Sequence, residues 1–341
     1  MLRGGIDIKK AAAIITRGGI AAFPTETVYG LGGDATNPKA VAQIYNAKGR
    51  PGDNPLILHI ADPDDLYKLT DSPPAYAKAL SDAFWPGPLT MVFNKKLDLP
   101  TWLGGHPSGT TKTIGIRMPS HPIALELIRV SGCFVAAPSA NKAGTPSPTK
   151  AEHVIADFAD GSIDYVLDGG LVEVGVESTV VDVTGSTPII LRPGAITAHM
   201  IAKVTGIMPQ GSFSSKTAPR APGMKYRHYA PKAPMTLLVG NDSDIAKYIS
   251  LYIDKNKKTG LLITADVEAL FDSFNNNSPT PYLLPLGHTQ EIIAQNLYDN
   301  LRQFDRLGVD IIYAQAPNEE GIGTAILDRM KKAAEGRVIH A

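Results

Sequence analysis

The chain has 341 residues, with 33 Lys plus Arg against 33 Asp plus Glu, so its formal net charge at pH 7 is zero. This balance argues against a dedicated nucleic-acid coat but leaves room for a local basic groove. Its length predicts two domains rather than one. No apolar run approaches the roughly 20 residues of a membrane helix, the N-terminus lacks a signal-peptide core, and the single cysteine, Cys133, cannot pair within the chain. We therefore expect a cytoplasmic protein with no membrane contact.

The first two thirds of the chain alternate strand and helix patterns, which predicts an α/β domain. An apolar strand is expected over residues 19–23, and the glycines at positions 30, 32 and 33 predict a turn where the backbone comes close to another group. Asn37-Pro38 indicates the start of a helix that Gly49 ends. Further strands are predicted over residues 56–60, 89–93, 113–117, 133–137, 165–168, 179–183 and 188–191.

The composition changes between residues 208 and 234, where Pro, Gly, Ser, Lys and Arg dominate and the apolar period disappears. This change predicts a linker, and its length suggests a functional lid. Strands expected over residues 235–239, 260–264 and 310–313, separated by helices, predict a smaller Rossmann-like α/β unit. The predicted divisions are residues 5–205, a linker or lid over 206–233, and a C-terminal α/β domain over 234–341.

Two polar segments stand out near the N-terminus. Thr25, Glu26 and Thr27 follow the first strand, and Lys48 and Arg50 flank Gly49 soon after. Hydroxyls and close backbone facing paired cations suit a polyanionic ligand such as a nucleotide. Taken alone, the two cations are explained more simply by their favourable position at a helix C-terminus.

These segments belong to a longer ordered set, which continues through Trp85-Pro86-Gly87-Pro88-Leu89-Thr90, Arg117-Met118-Pro119, Ala137-Pro138-Ser139-Ala140-Asn141, Glu177-Ser178-Thr179 and Leu191-Arg192-Pro193-Gly194. The set resembles the YrdC-like enzymes that use ATP and threonine to make threonylcarbamoyl-adenylate, the activated intermediate for threonylcarbamoyladenosine in tRNA. The resemblance covers roughly the first two hundred residues in order, and the whole chain in outline. It implies a YrdC-like catalytic domain with a twisted mixed sheet and flanking helices, followed by the smaller Rossmann-like domain.

The resemblance also implies site residues. Lys48 and Arg50 are expected to carry catalysis by facing the ATP phosphates. Further ATP contacts are implied at Asn54, Thr113, Ser139, Asn141, Ser147, Arg192, His228 and Tyr229, the last two as lid residues. Threonine contacts are implied at Thr27, His59, Arg117, Ala137 and Ser178. Each has a plainer explanation, such as turn chemistry for Ser139, an ion pair for Arg117 and a structural role for His59.

The reaction implied by the resemblance condenses L-threonine, bicarbonate and ATP to threonylcarbamoyl-AMP and pyrophosphate. The product would pass to a separate transferase that modifies adenosine beside the tRNA anticodon, and weak direct tRNA binding is left open. Mg²⁺ is expected with ATP, and no residue is assigned to it, since Glu26 and Glu177 are candidates that sequence cannot separate. Two alternatives remain, a non-catalytic RNA-binding module and a carbamoyl-transfer enzyme. An aromatic content of 7% weakens the first of them.

Overall fold

The computed structural model describes residues 4–52, 54–100, 102–103, 112–211, 228–254, 256–274 and 281–341. These residues form two compact units, one of residues 4–143 and 147–211 and the other of residues 144–146 and 228–341. The predicted linker stays a prediction, because residues 212–227 lie outside the described residues. Within the described part of the chain, no helix combines the length and the apolar character needed to cross a bilayer.

The first unit is built on a mixed sheet with helices around it, as predicted. In the described residues, eleven strands follow the order β1-β8-β2-β3-β7-β4-β6-β5-β9-β10-β11. They are β1 (Gly4–Gly5), β2 (Ala21–Phe23), β3 (Gly30–Asp34), β4 (Ile57–His59), β5 (Leu89–Asn94), β6 (Thr113–Arg117), β7 (Val135–Ala137), β8 (Tyr165–Leu167), β9 (Thr179–Asp182), β10 (Ile189–Arg192) and β11 (Gln210–Gly211). The helices are α1 (Ile8–Thr16), α2 (Pro38–Lys48), α3 (Leu66–Leu69), α4 (Ala75–Phe84), α5 (Pro122–Ser131), α6 (Ala151–Asp157) and α7 (Ala198–Thr205).

The glycines at positions 30, 32 and 33 lie in strand β3 rather than in a turn, whereas the close approach of the backbone to other groups that they predicted is confirmed. Strand β3 pairs antiparallel with β2 and β7. A Cβ atom on Gly32 would lie 2.7 Å from carbons of both Phe23 and Val135. Glycine is needed here because neighbouring side chains fill the space above the strand, a requirement that its low strand propensity conceals.

Helix α2 places the predicted cations, and its ends agree with the sequence analysis. The Asn37 side chain accepts hydrogen bonds from the amides of Lys39 and Ala40, and Pro38 occupies the first turn. Gly49 ends the helix with a left-handed backbone, φ 61°. Lys48 is therefore the last residue of the helix, and Arg50 lies just beyond it.

Alternation along the strands divides the sheet residues between two faces. Leu58, Met91, Phe93, Ile114 and Ile116 point to one face and join its main hydrophobic core. Their sequence neighbours, which include the predicted site residues of β4 and β6, therefore point to the opposite face.

The second unit contains a wholly parallel sheet in the order β14-β13-β15-β12-β16. Its strands are β12 (Met235–Val239), β13 (Thr259–Ile263), β14 (Tyr282–Pro285), β15 (Ile311–Gln315) and β16 (Val338–His340). Its helices are α8 (Asp242–Tyr252), α9 (Ala265–Phe274), α10 (Gln290–Leu307) and α11 (Gly323–Ala333). The sequence analysis missed β14 and β16, which are partly exposed edge strands only four and three residues long.

Candidate active site

One row of residues crosses six neighbouring strands of the first sheet. Direct partners along a ladder place their side chains on the same face. The register links, in order, Arg192 of β10, Val180 of β9, Thr90 of β5, Arg117 of β6, His59 of β4 and Val135 of β7. The sheet therefore brings together three predicted site residues, His59, Arg117 and Arg192, that are far apart in sequence.

A second row of residues adjoins the polar row on the same face. The next row contains Ala137, Ile57 and Gly115, and Thr113 lies two residues before Gly115 on that face. A Cβ atom on Gly30 would lie 3.4 Å from the Ala137 Cβ. Ala137 therefore packs closely against Gly30 and lies one row away from His59 on the same face.

Arg117 is held in a buried ion pair. Its Nη2 atom lies 2.7 Å from Oε1 of Glu26, and both side chains are about 95% buried. The contact lacks hydrogen-bond geometry. The second carboxylate oxygen of Glu26 accepts from the Ser120 amide at 3.2 Å. The ion pair expected as the plainer explanation for Arg117 exists, but it is buried rather than on the surface.

His59 lies beside Arg117 and is neutral at physiological pH. Burial, reinforced by the positive charge of Arg117, lowers the pKa of His59 to about 3. Its Nδ1 atom is buried and has no hydrogen-bond partner among the described residues. A neutral imidazole with an unpartnered nitrogen can contact a ligand but is a poor proton carrier at pH 7.

Arg192 and Ser178 form the other end of the row. Arg192 donates to the Ser178 carbonyl from Nε at 3.1 Å and from Nη2 at 2.9 Å, and to the Ser178 hydroxyl at 3.1 Å. The Ser178 and Thr90 hydroxyls lie 2.8 Å apart. A side chain on Gly194 would collide with the backbone of Ser178 and Thr179. This close approach explains why glycine follows Arg192-Pro193.

Thr27 belongs to a compact hydroxyl turn. Thr25 Oγ1 donates to the Val28 carbonyl at 2.6 Å and lies 2.8 Å from Thr27 Oγ1. Because Thr25 has one hydroxyl proton, Thr27 is the donor in that contact. The lone pairs of Thr27 remain as acceptors for a ligand amine.

Lys48 fixes the turn after β7. Its ammonium donates to the carbonyls of Ser139 and Asn141, each at 2.5 Å. The Ser139 hydroxyl donates to Asn141 Oδ1 at 2.6 Å. Lys48, Ser139 and Asn141, all predicted ATP residues, are therefore mutual neighbours. The Lys48 ammonium binds the carbonyls of the turn after β7 rather than the carbonyls at the end of its own helix.

Arg50 and Asn54 are also neighbours. Arg50 donates from Nε to the Asn54 carbonyl at 3.0 Å and from Nη2 to the Pro55 carbonyl at 2.9 Å. The side chain of Asn54 is 2% exposed. Both of its polar atoms lack a hydrogen-bond partner within the described part of the chain. Such a buried, unpaired amide is costly to leave unsatisfied and is typical of a ligand site.

Backbone hydrogen bonds tie the polar loops of this unit together. The amides of Val174 and Gly175 donate to the carbonyls of Glu26 and Thr27. The Ala140 amide donates to the Tyr29 carbonyl at 2.7 Å. The hydroxyl of Ser147, the residue at which the first unit resumes, donates a hydrogen bond to the Glu177 carboxylate at 2.6 Å. The loops carrying Thr27, Ser139, Ser147 and Ser178 thus form one connected region.

His228 and Tyr229 lie in the second unit. Tyr229 is buried, stacks on Tyr298 with a centroid distance of 5.5 Å, and has the Arg329 guanidinium 5.4 Å from its ring centre. Its φ of 64° is unusual for a residue other than glycine. Tyr229 therefore anchors the C-terminal end of the predicted linker in its own unit.

Sequence reasoning missed Thr90 and left Glu26 undecided. Thr90 stands inside the quoted Trp85–Thr90 segment, but only the strand register shows that it faces Arg117. The glutamate beside two threonines was a visible signal, yet nothing in the sequence identifies its partner 91 positions away as Arg117.

Comparison with known proteins identifies the family of the chain. Residues 13–194 match a family model described as "Telomere recombination", and residues 196–335 match "Threonylcarbamoyl-AMP synthase, C-terminal domain". The chain is 45% identical to threonylcarbamoyl-AMP synthase of Bacillus subtilis, over 98% of this chain and 94% of the relative. The chain belongs to the threonylcarbamoyl-AMP synthase family.

Two further matches extend the family evidence. The chain is 44% identical to threonylcarbamoyl-AMP synthase of Pyrococcus abyssi, over 97% of this chain and 95% of the relative. The crystal structure of P. abyssi Sua5 complexed with L-threonine has a TM-score of 0.88 and 41% identity, and covers 100% of this chain and 98% of that one. The two-unit fold is therefore that of the family.

Proposed function

We propose that this chain condenses L-threonine, bicarbonate and ATP to threonylcarbamoyl-AMP and pyrophosphate. The observation that carries the proposal is the buried polar row formed by Arg192, Thr90, Arg117 and His59. The unpaired side-chain amide of Asn54, four residues after Arg50, adds a second polar group that lacks a protein partner. Buried cations beside unpartnered polar atoms suit two anionic substrates. The names of the relatives support the same reaction.

Threonine is assigned to the row. The Nη2 atom of Arg117 pairs with Glu26, whereas its Nη1 atom has no acceptor among the described residues. The substrate carboxylate therefore binds at Nη1. His59 Nδ1 and the hydroxyls of Thr27 and Ser178 are available to the polar atoms of threonine. Glu26 then acts by orienting Arg117 and by balancing its charge.

ATP is assigned to the loops after α2 and β7. Arg50 faces the phosphates, and Asn54 supplies the amide that lacks a protein partner. Lys48 holds the Ser139–Asn141 turn in place, so its replacement would also disturb those two contacts. Arg192, Thr113 and Ser147 complete the proposed ATP set.

The proposed chemistry needs no covalent intermediate with the protein. The neutral threonine amine forms a bond to the carbon of carbon dioxide and loses a proton to solvent, which gives a carbamate; with bicarbonate as the carbon source, water leaves instead. A carbamate oxygen then attacks the α-phosphorus, and the bond to the β-phosphate oxygen breaks to release pyrophosphate. The protein contributes position and charge neutralisation.

Mg²⁺ is proposed to arrive with ATP and to neutralise phosphate charge. Glu26 is paired with Arg117, and Glu177 accepts from Ser147. Within the described residues, neither belongs to a group of three side chains able to hold a metal ion. This environment fits an ion held mainly by phosphate oxygens and water.

Pyrophosphate release by the full chain tests the proposal. Release should require ATP, threonine and bicarbonate together, and mass spectrometry should detect threonylcarbamoyl-AMP. Arg117→Ala should lower threonine-dependent release and raise the threonine concentration that it requires, whereas Arg129→Ala, an exposed arginine of α5, should leave both unchanged. Equal release without threonine and bicarbonate would refute the assignment.

Two further parts of the proposal concern partners and the lid. The labile product would be consumed by a separate transferase acting on tRNA, and direct tRNA binding would be weak. Closure of the predicted lid over ATP through His228 and Tyr229 is proposed as a means of excluding water. Hydrogen exchange of the full chain with and without ATP plus threonine tests it, and unchanged protection at both residues would refute it.

A further inference from the structure

A cavity of about 420 Å³ lies within the second unit. Its lining residues follow the carboxyl ends of β12, β13, β14 and β15 or stand in the first turn of α10. The polar ones used below are Asp242, Thr264, Asp266, Gln290 and Gln315. Its size lies at the lower end of the range of small-molecule sites.

The connectivity of the parallel sheet explains why a cavity forms here. From β12 the chain moves through β13 to β14 at one edge, and then returns through β15 to β16 at the other. Helices α8 and α9 pack together, as do α10 and α11. Right-handed crossovers place these two pairs on opposite faces. Loops leaving β12 and β15 therefore diverge, which is the usual position of ligand sites in open α/β sheets.

A single amide organises the floor of the cavity. Gln315 Oε1 accepts from the amide of Thr264 at 2.9 Å and from its hydroxyl at 3.0 Å. Gln315 Nε2 donates to Asp242 Oδ1 at 2.9 Å. The side chain is 8% exposed. It thus fixes the ends of three strands and leaves the second oxygen of Asp242 as an acceptor.

The groups that remain are mainly acceptors. Gln290 Oε1 is buried and has no hydrogen-bond partner among the described residues. The Asp266 carboxylate has no donor partner within the same described part of the chain, and no Lys or Arg belongs to the lining. The acids of this cavity do not form a three-ligand metal group in the described residues. His288 and Asn318 also belong to the lining, but its two acids and the unpaired Gln290 oxygen favour a ligand that supplies hydrogen-bond donors and carries no negative charge.

We propose that this cavity binds the vicinal diol of a ribose that carries no phosphate, as in a ribonucleoside. Two hydroxyls on adjacent carbons match the carboxylate of Asp266, and an acid that follows an early strand of such a sheet commonly binds ribose hydroxyls. Asp242 and Asp266 already occupy the first turns of α8 and α9 and offset their dipoles. A phosphate would meet those carboxylates, so phosphorylation of the ligand should weaken binding.

Hydrogen exchange on the full chain locates the binding, because the first unit is expected to bind adenine nucleotides as well. The probes are the four common ribonucleosides, their 2′-deoxy counterparts, their 5′-monophosphates and free ribose. At least one ribonucleoside should protect residues 264–266 and 287–290 in a saturable way. Loss of the 2′-hydroxyl or addition of the phosphate should weaken the apparent affinity at least about tenfold. Free ribose binding as tightly as the nucleoside would assign the site to a sugar instead and overturn the nucleoside class.

Matched variants complete the test. Asp266→Asn should weaken binding at least about tenfold, while Glu268→Gln, in the same first turn but outside the lining, should leave it unchanged. Pyrophosphate release should be unaffected in both, which separates this proposal from the proposed function. Protection by no ribonucleoside, equal binding of deoxynucleosides, or wild-type binding by Asp266→Asn would each overturn it.

Discussion

The two units use strand ends in the same way but give them opposite charge. In the first, Lys48, Arg117 and Arg192 are each at most 4% exposed and face carbonyls, a carboxylate and hydroxyls. In the second, the lining of the cavity contains Asp242, Asp266 and one histidine, and no Lys or Arg. Sheet topology selects where a site forms, and the few side chains placed there select which ligand charge it accepts.

The sites also differ in how they are held in place. Close packing fixes the first, where Gly32 and Gly194 allow backbone and side chains to approach. The amide of Gln315 fixes the second. Substitutions in the first unit should therefore cost more stability than comparable ones in the second.

The largest effect is expected for Arg117→Ala. Removal of the guanidinium leaves Glu26 buried without its partner, which typically costs about 3–5 kcal/mol of unfolding free energy. Fluorescence of Trp85 and Trp102, both in the first unit, can follow its unfolding. The double variant Glu26→Gln with Arg117→Ala should recover part of the loss. A loss under about 1 kcal/mol in the single variant would mean that the pair is exposed to water.

Arg50→Ala tests ligand charge rather than folding. Loss of a charge-assisted contact of about 1.5–3 kcal/mol should lower kcat/KM for ATP at least tenfold. Arg50→Lys keeps the charge and should recover only part of the activity, since a single ammonium cannot replace a bidentate fork. Normal kinetics in a folded Arg50→Ala variant would mean that Arg50 does not bind ATP and only binds the carbonyls of Asn54 and Pro55.

Gly32→Ala tests the close packing behind the polar row. The new methyl group would press on Phe23 and Val135, and overpacking of this kind costs about 1–3 kcal/mol. Gly185→Ala is the matched control, because no atom lies within 4 Å of the position that its new methyl group would take. Equal stability of the two variants, measured by tryptophan fluorescence in denaturant, would contradict the packing argument.

Gln315→Met should have a smaller effect, in the second unit. The Thr264 amide loses its acceptor, at a cost of about 1 kcal/mol, while half-buried Asp242 can turn to water. Circular dichroism during thermal unfolding, together with hydrogen exchange at residue 264, can detect it. A loss as large as that of Arg117→Ala would overturn the proposed difference between the units.

The last prediction concerns pH, and its effect is smallest near neutrality and grows only as the solution becomes acidic. Because the folded pKa of His59 is about 3 and its ordinary value is 6.5, the unfolded state binds the proton first. Stability should therefore fall as pH decreases from 6.5 toward 3, by at most about 1.4 kcal/mol per unit from this group. His59→Gln should show a shallower decline in denaturant titrations between pH 7 and 4. Parallel slopes for both proteins would contradict the burial of a neutral imidazole.

Much of the fold was predictable because its signals are local. Alternation and apolar runs predicted β6 and β12 with their observed bounds, and Asn37, Pro38 and Gly49 predicted the limits of α2. The strand β3 was not predictable, since its glycines are required by Phe23 and Val135, and the latter is distant in sequence. Tertiary packing overrides local propensity at such positions.

The candidate site was predictable in residue type but not in arrangement. Lys48, Arg117 and Arg192 were identified by resemblance, and their carbonyl and carboxylate partners were not. Those partners depend on strand register, which brings residues 26 and 117 or 90 and 178 together. No motif in the sequence analysis pointed to the cavity of the second unit, because its residues come in short groups from four separate parts of the chain.

The composition of the second unit has a consequence for biosynthesis. Residues 144–146 belong to it, and Arg302 donates to the Pro146 carbonyl while Ala230 donates to that of Gly144. These carbonyls leave the ribosome long before residues 228–341 are translated, at about 5–20 residues per second. The Gly144 contact can form only after Ala230 has been made, and the Pro146 contact only after Arg302 of α10 has been made. The second unit thus includes residues 144–146, which are translated well before the rest of it. The order of translation therefore differs from the order in which the contacts of this unit can form.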